Sequence, residues 1–373
     1  MVLRPRDIRG SPLRVTFLGT ASASSSPTRN QSSLGLQLGG DIWLFDCGEG
    51  TVAQFHKSSL KMGNLEKVFL THTHGDHING LVPLMDAWSD AAVSTGKSME
   101  IYGPLGTRAY VRSVLKYTHS MIAAPYAVHE LRTLADPSGD YTELPLHRSE
   151  VPGRDIVCDE DGLWRNVFKD RTITVDAGPI HHTVACVGYV LTEAPIPGKI
   201  DQKEYIPRIK SSGDSMSLMT RIQAGERVTL KDGTVLEGPP KRPGRRIAIL
   251  GDTYDASPIA PLCQDVDLLV HEATNAYLPG IDPNQKETDT VESVQAQSKA
   301  HGHSTCQVAG AFARRVGARH LILNHFSARY PDPSANERAE LVMREIGRIA
   351  SEEFGKEVIT ARDFMTYEVQ MRG

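Results

Sequence analysis

The sequence lacks any CxxC pair. Cys47, Cys158, Cys186, Cys263 and Cys306 are scattered and odd in number, which argues against a disulfide framework and for a reduced, intracellular setting. No stretch approaches the roughly 20 apolar residues that a membrane-spanning helix needs. The opening Met1-Val2-Leu3-Arg4-Pro5-Arg6 carries charge without an apolar run behind it, so no secretory signal is expected. Cytoplasm or nucleus is the expected compartment, while Arg4, Arg6, Arg9 and Arg14 leave import into an organelle open. There is no repeat at a fixed period. Charge is not one-sided either, with 41 Lys and Arg against 45 Asp and Glu, and 40% of residues are hydrophobic. Disordered and collagen-like chains are thereby excluded. A length of 373 residues suffices for one large domain or two ordinary ones. Histidine, by contrast, is plentiful at 14 copies, and several of them cluster.

The pattern predicts strands at 14–18, 34–38, 41–46 and 67–70, a helix over 50–61, a helical stretch at 78–90 and a strand at 99–102. Helical periodicity runs through 104–135, and 136–165 reads as polar loop. Strands are expected at 172–175, 184–191, 246–250 and 267–270. A helix over 306–316 is stopped by Gly317, with Ser304 or Thr305 able to cap its start. A strand at 320–323, a helix near 336–352 and a last strand near 357–360 follow. Strands first, then strands alternating with helices, argue for a layered α/β architecture.

Thr71-His72-Thr73-His74-Gly75-Asp76-His77 directly follows a strand. Alternate residues of an extended segment point the same way, so His72 and His74 can share one ion. A turn at Gly75 then lets Asp76 and His77 face a neighbouring site. Nitrogen and oxygen donors suit Zn²⁺ without excluding Mn²⁺ or Fe²⁺. Asp252 follows the strand 247–250, His325 follows 321–323, and His182 heads the segment His-Thr-Val-Ala-Cys-Val-Gly-Tyr. Each adjoins an apolar strand, so all can converge at one rim.

The HxHxDH run resembles that of the metallo-β-lactamase superfamily. Phe17-Leu18-Gly19-Thr20, Phe45-Asp46-Cys47-Gly48-Glu49-Gly50, Gly251-Asp252-Thr253, His271-Glu272-Ala273-Thr274, His303-Ser304-Thr305 and His325-Phe326-Ser327-Ala328-Arg329-Tyr330 narrow the resemblance to the tRNase Z family, in its short form. These stretches lie in family order across nearly the whole chain. The resemblance implies a four-layer αββα sandwich spanning residues 1–373, with an inserted flexible arm at 193–241. It implies a homodimer acting on precursor tRNA, and two Zn²⁺ per subunit. His72, His74, His182 and Asp252 are expected to hold one ion; Asp76, His77, Asp252 and His325 are expected to hold the other. His181 rivals His182, which is preferred because the family places the ligand six residues before the Gly-Tyr pair. Asp76 is expected to orient or deprotonate the attacking water, and His303 to protonate the leaving 3′ oxygen with Glu272 tuning it. Asp46 is expected to orient a metal ligand rather than bind metal itself. His271 is expected beside the metals, although a purely structural hydrogen bond is the competing reading for both His271 and Glu272.

Residues 195–250 hold eleven Lys and Arg against six Asp and Glu, a net +5 in a chain of −4 that leaves −9 for the remainder. This is either a solvated loop or an arm that meets a polyanion. Lys199, Lys203, Arg208, Lys210 and Arg221 are its candidate substrate contacts. Arg29 and Asn30, in the Ser-rich loop after the first strand, are expected near the acceptor end, with Arg29 on a phosphate. The acidic remainder predicts RNA held along limited tracks, without a DNA or membrane partner. Two other functions compete with trailer removal: a small-molecule phosphodiesterase or thioester hydrolase on the same scaffold, and a non-catalytic RNA-binding subunit.

Overall fold

Residues 10–198, 200–282 and 284–372 are described by a computed structural model. The chain opens with the antiparallel strands β1 (Leu13–Gly19), β2 (Ser33–Leu38) and β3 (Asp41–Phe45). Helix α1 (Thr51–Lys57) leads to β4 (Leu65–Phe69). The one-turn helix α2 (Gly75–Ile78) and α3 (Leu81–Val93) lead to β5 (Met99–Pro104). Helix α4 (Thr107–Thr118) then precedes β6 (Tyr126–Arg132), β7 (Glu150–Val151) and β8 (Asp155–Val157). A second series begins with β9 (Trp164–Lys169), β10 (Ile173–Ile180) and β11 (Cys186–Glu193). It passes through a small excursion of α5 (Gln202–Ser211), α6 (Leu218–Gln223), β12 (Val228–Thr229) and β13 (Val235–Leu236). The chain returns as β14 (Arg246–Leu250), β15 (Leu268–Glu272), α7 (Val291–Ala300), α8 (Cys306–Arg315), β16 (His320–Asn324), α9 (Glu337–Phe354), β17 (Val358–Thr360) and β18 (Thr366–Glu368).

The first sheet runs β18-β1-β2-β3-β4-β5-β6-β7, with β8 also on β6; the second runs β17-β16-β15-β14-β11-β10-β9. Both are buried on two faces, which explains why their central strands read as unbroken apolar runs. In Ile42-Trp43-Leu44-Phe45, Trp43 and Phe45 enter the core between the sheets, while Ile42 and Leu44 pack under α1, α3 and α4. Ile247 and Ile249 likewise enter the inter-sheet core, and Ala248 and Leu250 pack with Phe312 of α8 and Ile346 of α9. Helices, sheet, sheet, helices: the αββα order expected of the sequence holds.

Several local readings need correction. The expected helical region at 104–135 ends in strand β6, and β9 starts inside the expected loop. Thr305 sits at the N-terminal cap of α8 without a side-chain cap bond, and its hydroxyl has no partner among the described residues. Ser304 instead donates its hydroxyl to the Thr253 carbonyl. The segment between β11 and β14 is no plain loop, because Tyr205, Ile209, Ile222, Val228, Leu230 and Leu236 form a small core of their own.

Candidate metal centre

The site lies where strands of both sheets end. Strands β14, β15 and β16 are parallel, with Glu272 opposite Asn324, so Asp252, Glu272 and His325 emerge at one edge. Parallel β3 and β4 end together at Phe45 and Phe69 and bring Asp46 and Thr71 to the same rim. Asp46 and His325 both take left-handed backbone angles (φ 57° each) without being glycine. Such strain persists where surrounding structure over-determines it.

His72, His74 and His182 form one group of converging donors, and Asp76, His77, Asp252 and His325 form a second. In the first, His72 Nε2 and His182 Nε2 lie 3.1 and 3.2 Å from His74 Nδ1. In the second, His77 Nε2 is 3.1 Å from His325 Nε2 and 3.5 Å from Asp76 Oδ2. Asp252 Oδ2 lies between the groups, 3.4 Å from His77 Nε2, 3.8 Å from His72 Nε2 and 3.9 Å from His182 Nε2. Bonds of about 2.0–2.1 Å from zinc to nitrogen or oxygen give a tetrahedral edge of roughly 3.3 Å. The donor spacings therefore fit ligands sharing an ion, with Asp252 able to serve both. His181, the rival of His182, is exposed and stacks on Tyr254 with ring centroids 5.8 Å apart.

The electrostatics also fit cations. Burial works against charge on Asp252 and Asp76, yet imidazoles of His325 and His77 hold both carboxyls well below their usual range. Burial likewise opposes charge on His77, but Asp252 and Asp46 push its affinity for a proton well above normal. A proton there occupies the electrostatic role that a metal would take over. His72 is different: burial and the neighbouring His77 keep it neutral.

Supports behind the donors fix their rings. His77 Nδ1 donates to Asp46 Oδ2 at 2.7 Å. His182 Nδ1 donates to the Gly302 carbonyl at 2.7 Å, which leaves Nε2 facing the cluster. Gly302 has φ +86°, and a Cβ there would lie 2.5 Å from His182 Nδ1. Asp76 Oδ2 accepts the Ala23 amide at 2.7 Å. Gly302 and Ala23 act through their backbones, so no side-chain pattern in the sequence signals them. Thr71 and Thr274 are also at the centre; both stand inside family-like stretches, where position alone is the signal.

His303 stands at the rim, with Nδ1 3.1 Å from Glu272 Oε1 and 3.8 Å from Asp252 Oδ2. Burial would lower its affinity for a proton, but Glu272, then Asp252 and Asp76, outweigh this and raise it to about 9. Beside it opens a cleft of about 410 Å³ lined by Asn275, Lys286, His301 and Arg329. On the other flank, next to His182, a cavity of about 380 Å³ is walled by Leu105, Trp164 and Val184.

Two residues expected at the site are engaged elsewhere. Arg29 is buried, and its guanidinium donates to the carbonyls of Tyr330 and Ala361 and to Thr20 Oγ1. It also lies 4.8 Å over the Phe326 ring, so it has no free face for a phosphate. His271 alternates with Glu272 along β15 and points to the opposite face, toward Phe312 of α8. Its Nδ1 donates to the Glu272 carbonyl and its Nε2 has no partner among the described residues. Asn30 is half-buried and braces the Glu49 carbonyl. Lys203, Arg208, Lys210 and Arg221 are exposed on the excursion between β11 and β14; Lys199 lies outside the described residues.

Comparison with known proteins agrees with this architecture. A metallo-β-lactamase-fold protein from Bacillus subtilis, YhfI, superimposes with a TM-score of 0.55 at 15% identity, covering 96% of this chain and 99% of that one. A family model described as anti-Pycsar protein Apyc1 matches residues 13–103, from β1 through the HxHxDH run to β5. The fold and the converging donors thus define a metallo-β-lactamase-fold protein. Bovine zinc phosphodiesterase ELAC protein 1 is 35% identical over 96% of this chain and 99% of its own. The crystal structure of human tRNase Z, short form, matches at 30% identity and a TM-score of 0.62, covering 96% and 100%. The chain belongs to the tRNase Z family.

Proposed function

We propose that this chain is a zinc-dependent endoribonuclease that hydrolyses precursor tRNA to remove its 3′ trailer, leaving a tRNA 3′-hydroxyl and a 5′-phosphorylated trailer. The observation that carries the reading is the Glu272–His303 pair, 3.1 Å apart at the rim of seven converging donors. A protonated imidazole beside a two-cation centre meets the needs of an alkoxide leaving a phosphodiester. His72, His74, His182 and Asp252 would hold one zinc ion, and Asp76, His77, Asp252 and His325 the other; once bound they would supply an activated water and neutralise the phosphate, and Mn²⁺ or Fe²⁺ would also suit these donors.

The chain's own residues do the rest. Glu272 holds His303 through Nδ1, so Nε2 is the end that hands a proton to the departing 3′ oxygen. Asp76 is held so far toward its ionised form that it is a weak base, and its part is to orient the attacking water. Attack by water leaves the ribose 2′-hydroxyl unused. Lys286 and Arg329 beside His303 give the RNA backbone a basic approach. The excursion at 193–241 is the arm that holds the body of the tRNA. Its pairs Arg208–Glu204 and Arg221–Glu226 are solvent-exposed and can exchange a carboxylate for a phosphate at little cost. A homodimer belongs to the same proposal.

The test is cleavage of a 3′-extended precursor tRNA, with and without chelator, mapped to the nucleotide beside a small chromogenic phosphodiester. One cut at the trailer junction, abolished by chelator, is expected. Turnover of the small ester alone would overturn the reading in favour of a small-molecule phosphodiesterase.

A further inference from the structure

In each donor group one histidine has its outward nitrogen nearest a threonine hydroxyl, and for His325 Asp252 Oδ1 lies slightly farther off, at 3.4 Å from Nδ1. His72 Nδ1 lies 3.1 Å from Thr71 Oγ1. That hydroxyl has a single proton, and Asp46 takes it, at 2.8 Å to Oδ2 and 3.0 Å to Oδ1. A carboxylate only accepts, so the hydroxyl oxygen is left to accept, and His72 must carry its proton on Nδ1. Its Nε2 lone pair then faces His74 and His182. Asp46 also takes the proton of His77 Nδ1 at 2.7 Å. One carboxylate therefore sets a ligand of the second group directly and a ligand of the first group through Thr71. Cys186 Sγ, 3.6 Å from His72 Nδ1, is a far weaker acceptor.

The other side of the site repeats the arrangement with unrelated residues. Thr274 Oγ1 donates to Glu272 Oε2 at 2.6 Å and lies 3.2 Å from His325 Nδ1. His325 then carries its proton on Nδ1 and turns Nε2 toward His77 and Asp76. Glu272 simultaneously holds His303 Nδ1. In both cases the order is histidine, threonine, carboxylate, second histidine.

We propose that Thr71 and Thr274 are positioning residues, one for each metal, that act as hydroxyl relays fixing which nitrogen of His72 and of His325 is presented to an ion. The inference rests on the metal reading above. Each relay is specific to its own site: Thr71 serves the ion held by His72, and Thr274 the ion held by His325. Removal of a group supporting a metal-bound histidine typically weakens metal binding 10- to 100-fold.

The test is zinc binding to full-length protein, followed by competition with a chromophoric chelator. Wild type takes up two zinc ions per chain; failure of that arm alone would count against the metal reading, before any variant is compared. Thr71→Val, which keeps the shape and removes the hydroxyl, weakens one ion by 10- to 100-fold. Thr71→Ser restores it. In a His182→Ala background, which retains only the second site, Thr274→Val weakens the remaining ion and Thr71→Val leaves it unchanged. Wild-type affinity in Thr71→Val overturns the relay. So does equal loss in the valine and serine variants, or equal weakening of the remaining ion by both threonine changes. Circular dichroism of the zinc-free proteins separates these effects from unfolding.

Discussion

His303 owes its protonation to one neighbour more than to its own surroundings. Burial would strip its proton, and Glu272 is the first of the groups that hold it on, with a net affinity of about 9. Replacing Glu272 with Gln removes a raising influence and leaves burial in place, so the imidazole loses its proton at lower pH. The alkaline limb of kcat/KM for precursor tRNA should therefore move down by about one pH unit or more; an unmoved limb would deny His303 the acid's role. Arg29 calls for a different measurement. Its guanidinium satisfies two buried carbonyls and a hydroxyl, so Arg29→Ala leaves orphan acceptors and a void. A loss of about 2–4 kcal/mol is expected in urea unfolding, whereas a phosphate contact would change RNA affinity and leave stability alone. The contrast between these residues marks what the sequence makes legible. Four of the seven candidate metal donors, His72, His74, Asp76 and His77, crowd into a short run whose spacing suits little besides holding ions. Arg29 in a Ser-rich loop looks solvated until Tyr330 and Ala361, some three hundred positions away, close over it, and no local pattern carries that. His271 fails for a related reason: a one-residue step along a strand reverses the face.

Among elements, the loop joining α7 to α8 is held at two neighbouring residues. It carries His303 toward the donors and presents the Gly302 carbonyl to His182 from a left-handed backbone. Gly302→Ala places a methyl group 2.5 Å from His182 Nδ1, so the ring must move and release the carbonyl. Zinc content should fall to about one ion per chain with at least a 10-fold loss of activity, as read by metal analysis of purified protein. Full occupancy would show that the loop yields. Central strands are readable because burial on both faces leaves an apolar run, as in Ile247-Ala248-Ile249-Leu250. Strand β6 is hidden by its own ion pairs. Its Glu130 and Arg132 are buried 3.0 Å apart, with Arg132 also 3.1 Å and Arg108 3.0 Å from Asp155. Charges paired inside the fold look, in the sequence, like charges in solvent. Helix α7 leaves little apolar pattern because it buries only Val294 and Ser298; its better signal is the reciprocal Thr290–Ser293 cap at its start.

At the scale of the whole molecule, charge and core are divided between two parts. The body holds the donors and three large apolar clusters, while the basic excursion keeps a separate one around Ile209 and Ile222. The stem of that excursion is closed by a pair of backbone hydrogen bonds, Ile196 to Arg242 and back, at 3.0 and 2.9 Å. A short turn replacing residues 198–240 can therefore bridge ends that already meet, without opening the body's core. Thermal unfolding of the shortened protein should stay within a few degrees of the parent, because no large cluster is cut. Hydrolysis of a small chromogenic phosphodiester should persist, since every donor lies outside the excised segment. Affinity for precursor tRNA should fall at least 10-fold. The slope of log affinity against log salt should flatten by about 0.7–0.9 for each phosphate contact removed. The same slope measured for Lys203→Ala and Lys210→Ala resolves individual contacts, each expected to remove roughly one such step. Unchanged tRNA affinity and slope in the shortened protein would return the basic segment to the status of a solvated loop and shift recognition onto Lys286, Arg329 and the rest of the cleft beside His303.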